Sequence, residues 1–105
     1  MYQYYFVGKR VALANTSGEP ATEFIFDVTS DRKTTFAVSV LLGEAALSQW
    51  SASHGRRLTE AEQYAAVKMR LFEAFDQIEN MMNAGRRLEV DAARLEQMLI
   101  TLGVS

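Results

Sequence analysis

The hydrophobic residues of this chain change their period at Gly43, and that change limits what it can fold into. Before it, Phe24, Phe26 and Val28 alternate with Glu23, Asp27 and Thr29. After a break at Ser30-Asp31-Arg32-Lys33, Phe36, Val38 and Val40 alternate with Thr35, Ala37 and Ser39. A period of two sends one set of side chains to one face of a strand, so these segments read as a hairpin with a buried face. Beyond Gly43 the apolar residues recur at three and four, the spacing of an amphipathic helix. A strand-rich stretch over 1–42 followed by a helical stretch over 43–105 predicts one α+β domain. Its 105 residues, 49% of them hydrophobic, supply a core without disulfide or metal staples.

The first strand region is aromatic. Tyr2 to Val7 reads as a strand, Gly8-Lys9-Arg10 as a turn, and Val11 to Ala14 as a second strand before the polar loop from Asn15 to Pro20. Within that loop Asn15-Thr16-Ser17 matches a glycosylation acceptor, and without an export signal it reads as a polar turn. With the hairpin, this predicts an antiparallel four-stranded meander.

Three helices are expected to follow. A short one starts at Glu44, carries Leu47 and Trp50 on one face, and stops at His54-Gly55, where glycine can take the left-handed cap. A long one starts at Thr59, because Thr59 and Glu62 have the spacing of a reciprocal capping box. It is expected to reach about Ala84, with Tyr64, Val67, Leu71, Phe75, Ile78 and Met82 forming a stripe that packs on the sheet. Arg70, Glu73, Asp76, Gln77 and Asn80 mark its wet side. The last begins at Asp91 as N-cap, with Val90 stapling against Leu95, and ends before Gly103. The echo Gly55-Arg56-Arg57-Leu58 and Gly85-Arg86-Arg87-Leu88 reads as punctuation between helices.

Chemistry is constrained mostly by what the composition omits. With 0 Cys, no disulfide, thiolate nucleophile or cysteine metal site can form. His54 is the lone histidine, which excludes a His-pair metal site, and it reads as an exposed helix-capping residue. The six glycines are scattered singly, without a phosphate-cradling motif. The carboxylate pairs Glu60/Glu62 and Glu73/Asp76 fall on polar helix positions, where nothing raises a pKa for acid–base work. No catalytic residue, cofactor or metal is expected, and the chain reads as non-enzymatic. The N-terminus lacks the basic and apolar regions of an export signal and no segment is apolar enough to span a bilayer, so a cytoplasmic protein with no membrane partner is expected.

Two binding readings remain. The stripe on the long helix is wider than one sheet face easily covers, which predicts a protein-interaction or regulatory domain, self-associating as a homodimer or taking another protein. Its candidate interface is Tyr64, Leu71, Phe75, Ile78 and Met82. Tyr2, Tyr4, Tyr5 and Phe6 could add an edge-strand contact, or stack bases as nucleic-acid-binding sheets do. The alternative is an anion- or nucleic-acid-binding module. Eight of the eleven Lys and Arg residues are adjacent pairs at expected turns. A meander brings its first and third turns to one end, which would gather Lys9, Arg10, Arg32, Lys33, Arg56 and Arg57 into a basic pole. A net charge of -2 and a pI near 5.4 disfavour nucleic acid as the partner.

Overall fold

The alternating hairpin forms the middle of a mixed sheet in the computed structural model, which describes residues 2–13 and 18–104. The elements run β1 (Gln3–Leu13), β2 (Pro20–Thr29), β3 (Phe36–Gly43), α1 (Glu44–His54), α2 (Glu60–Gln77), α3 (Met81–Ala84), β4 (Arg87–Val90) and α4 (Ala92–Leu102). The sheet order is β1-β2-β3-β4. β1, β2 and β3 pair antiparallel, and β4 pairs parallel to β3.

The α+β class holds, and three details of the expected layout change. First, the aromatic N-terminal region is one strand of eleven residues instead of two. Its register on β2 slips between Phe6 and Gly8, which leaves Val7 without a Cα partner there. A bulge of this kind absorbs an extra residue without reversing the chain, so Lys9 and Arg10 lie within the strand, opposite Phe24 and Glu23. Second, the fourth strand comes late in the chain. Arg87–Val90 joins the edge of β3, and the second copy of the Gly-Arg-Arg-Leu echo leads into this strand. Parallel neighbours need a long crossover, and α1, α2 and α3 supply it.

Third, the long helix ends at Gln77. Ile78 leaves it in an extended conformation, and Asn80 caps a separate single turn, its side chain accepting from Asn83 N at 3.3 Å. The hydroxyl of Tyr2 accepts from Met81 N and donates to Glu79 O, both at 3.2 Å, so the break's backbone groups find a partner 79 and 77 residues away. The side chain of Met81 is fully buried behind this turn.

The other local signals form as expected. Thr59 and Glu62 make the capping box, Asp91 accepts from Arg94 N at 2.8 Å, and Gly55 and Gly103 close their helices in left-handed geometry. Caps of this kind each contribute about 1 kcal/mol.

One sheet face carries the core. Phe24, Phe26 and Val28 of β2, Phe36, Val38, Val40 and Leu42 of β3, and Leu88 and Val90 of β4 pack with Trp50 of α1, Val67 and Leu71 of α2, and Leu95 and Leu99 of α4. A buried aromatic or large aliphatic side chain contributes about 1.5–3 kcal/mol, so this layer supplies the main driving force. Tyr2 and the first half of β1 join it through rings: Tyr2 stacks on Phe75 at 4.8 Å, Tyr4 meets Phe72 at 5.3 Å, and Phe6 meets Tyr64 at 5.1 Å.

Gly85 lies close against the buried Met81 side chain. A Cβ there would sit 2.4 Å from the Met81 sulfur and 3.3 Å from Met81 Cα. Gly85→Ala is expected to lower stability by about 1–3 kcal/mol, as overpacking does, read from the urea midpoint. An unchanged midpoint would show that the turn before β4 is loosely packed.

Candidate functional site

The six cations expected to share a pole fall into separate settings. Lys9 lies on the helix-covered face, its Nζ 3.1 Å from Glu60 at the start of α2 and 5.8 Å from the centre of the Phe24 ring. Arg10 lies on the opposite face and donates through Nε to Glu23 at 2.9 Å. Arg56 sits over the Trp50 ring at 5.1 Å and makes a two-pronged pair with Glu62, at 2.9 Å on each side. Arg57 reaches Glu44 at 3.6 Å.

Arg32 and Lys33 follow β2, beyond Thr29, which pairs with Gln3 at the start of β1. Gln3, with its amide turned to satisfy both groups, accepts from Arg32 Nε and Nη2 at 3.2 and 3.0 Å. Arg10 is seven positions further along β1, about 20 Å at strand rise. Arg32 and Lys33 therefore lie apart from Arg10, because the reversal assigned to Gly8 is a bulge, whereas Lys9 and Arg56 both reach carboxylates in the first turn of α2, and four of the six cations face carboxylates.

Glu23 shows how such pairing uses the open sheet face. It is nearly fully buried, receiving a hydrogen bond from Ser39 Oγ as well as from Arg10. The bond from Ser39, then that from Arg10, holds its carboxyl below the usual range against the opposing effect of burial. A carboxylate held ionised by a neighbouring cation and hydroxyl serves cohesion of β1, β2 and β3, and is poorly suited to accepting a proton.

His54 is half-buried instead of exposed. Its ring stacks on Trp50 at 4.2 Å, and Nε2 lies 3.1 Å from both carboxylate oxygens of Glu96, linking α1 to α4. Among the described residues no group of three or more histidine, aspartate or glutamate side chains is placed to share a metal ion, and no helix is long and apolar enough to cross a membrane.

The five residues expected to form an interface also separate. Leu71 is fully buried in the core. Tyr64, Phe75 and Ile78 are half-buried against the core, Tyr64 meeting Phe6 of β1 and Phe75 stacking on Tyr2 just before it. Met82 on α3 is 40% exposed. On the outer side of α2, Phe72 and Tyr64 border a shallow apolar depression of about 290 Å³ that Leu102 closes at one side. Lys68 Nζ lies 5.5–5.9 Å from the ring centres of Tyr4, Tyr64 and Phe72. The apolar width of this helix is thus explained largely by β1, whose aromatic side chains it holds.

Among the described residues, exposed large apolar side chains are most concentrated on β1, with others at Phe72, Met82, Ile100 and Leu102. This strand is a sheet edge, and Tyr5, Phe6, Val7, Val11 and Leu13 are all exposed, Val11 at 85%. Edge strands are usually protected by charge, proline or short length. β1 is eleven residues long without proline, and its two cations are each paired to a carboxylate. The aromatic run at its start was the sequence signal for this edge. No family model matches the chain, and no curated protein or solved structure matches it significantly.

The Arg56–Glu62 pair gives the region after α1 a pH signature. Hydrogen bonds from Arg56, then from Thr59 N, hold the Glu62 carboxyl at about 2, below its ordinary 4.5. Because the folded value is the lower one, this stabilisation is complete above the ordinary value and is lost as pH falls toward about 2. Glu62→Gln is expected to lower the melting temperature at neutral pH, with the gap to the parent closing between about pH 4.5 and 2. A gap that stays constant through that window would contradict the assignment.

Proposed function

We propose that this chain is a non-enzymatic protein-interaction domain that self-associates through β1, two copies pairing antiparallel so that their sheets continue as one. The observation that carries this reading is the long unpaired edge with its row of exposed apolar side chains. Strand addition satisfies outward backbone groups and buries alternate side chains at once.

Charge and facing select the register. With the two-fold axis between Val7 and Gly8, Phe6 of one copy lies opposite Lys9 of the other, and Tyr5 lies opposite Arg10. Phe6 and Lys9 pair with Phe26 and Phe24 of β2, whose side chains enter the core, so both belong to the helix-covered face. Tyr5 and Arg10 pair with Asp27 and Glu23 and share the other face. Each cation then meets an aromatic ring, a contact of about 0.5–1 kcal/mol at an exposed site, and like charges stay apart. The same register sets the exposed Val11 against Tyr4.

Sedimentation measures this directly. The parent chain is expected to show a concentration-dependent dimer, and Val11→Lys and Tyr5→Lys are expected to give monomers with unchanged circular dichroism and melting. A parent chain that sediments as a monomer throughout, or a dimer untouched by both substitutions, would overturn the reading.

A further inference from the structure

The parallel pair β3 and β4 creates a second feature, independent of the β1 edge. Both strands run out at the same end of the sheet, β3 through Gly43 into α1 and β4 through Asp91 into α4. Between them opens a cleft of about 580 Å³, within the usual size of a small-molecule site. Three arginines from three elements line it: Arg70 of α2, Arg87 of β4 and Arg94 of α4.

Their pairing differs from that of four of the eight other cations; Arg32, Lys33, Lys68 and Arg86 resemble them in making no ion pair among the described residues. Among the described residues, Lys9, Arg10, Arg56 and Arg57 each meet a carboxylate, whereas none of the three cleft arginines makes an ion pair. Arg70 is anchored by Nε, which donates to Glu89 O at 3.1 Å, and Arg87 Nη2 donates to Leu13 O at 3.1 Å. Both donate to backbone carbonyls and not to a carboxylate at ion-pair distance, with the carboxylates of Glu73 and Asp91 near Arg70 and that of Glu23 near Arg87.

The acidic residues of the wall are engaged. Asp91 Oδ1 caps α4 through Arg94 N, and Glu19 and Glu89 have interactions of their own. Burial, and then the neighbouring charge of Arg94, hold the Arg70 guanidinium below its ordinary pKa against the opposing pull of Glu73 and Asp91, so two guanidinium groups are close enough here to repel each other. Gly43 brings no side chain to cap α1, whose first turn also borders the cleft.

We infer that this cleft binds the phosphate group of a small phosphorylated molecule, with Arg70 and Arg94 as its two principal ligands. Guanidinium groups suit phosphate because their planar donors match paired oxygens. The remaining volume, walled by Leu41, Ala46 and Val90, accommodates the organic portion.

Titration of the full chain with inorganic pyrophosphate, followed by amide NMR and calorimetry at low and high salt, tests this. Saturable shifts are expected at Gly43–Ala46, Arg70 and Leu88–Arg94, with affinity falling as salt rises. Arg94→Gln, at an exposed position, is expected to weaken binding about tenfold, the equivalent of losing one charge-assisted contact. Arg70→Lys keeps the charge but loses the planar fork and is expected to weaken binding as well. Absence of saturable shifts, saturation around Arg32 and Lys33 instead, or binding unaffected by both substitutions would overturn the inference.

Discussion

The parallel pairing of β4 with β3 is the contact from which the rest of the arrangement follows. Ser39 N donates to Arg86 O at 2.9 Å at its start, and Val40 and Leu42 lie beside Leu88 and Val90 along it. Because the strands run in the same direction, the chain must cross from the end of β3 back to the start of β4, and the helices between them are laid over one face. The same pairing closes the β3 side of the sheet, so the long open edge is β1. It also brings two strand ends together, with helices leaving both, and the arginine-lined cleft opens there.

The face opposite the helices is held by polar contacts. Glu23, Arg10 and Ser39 tie three strands together where no helix covers them. Their mutual satisfaction explains how a nearly fully buried carboxylate persists in the sheet. On the helical side, rings do comparable work: Tyr2, Tyr4 and Phe6 fix α2 over β1, and Tyr2 additionally serves the backbone where α2 ends. The two proposed surfaces lie at different parts of this frame, an apolar edge for self-association and a cationic cleft for a small ligand.

Elements marked by neighbours in sequence were legible from sequence. The alternation of β2 and β3, the Thr59–Glu62 box, the Asp91 cap and the glycine after His54 each involve residues a few positions apart, and each formed as expected. Elements decided by distant contacts were not. Gly8 looks like a turn because glycine and a polar pair follow an aromatic run, and only pairing with β2 reveals a bulge. The end of α2 depends on the Tyr2 hydroxyl, and β4 is a four-residue strand whose partner lies far earlier in the chain. The cleft was hidden for the same reason: Arg70 looked like a wet-side residue of a helix, and nothing local joins it to Arg94. The edge was more accessible, since the aromatic run at Tyr2–Phe6 already suggested an edge-strand contact.

Amide hydrogen exchange with cross-strand proton contacts, measured on dilute protein, tests the central topology most directly. Protected amides along β3 and β4, including that of Ser39, together with contacts joining Val40 to Leu88, are the predicted result, while outward amides of β1 exchange freely. Unprotected amides over Arg87–Val90, or contacts from that segment to β1 instead of β3, would contradict the account.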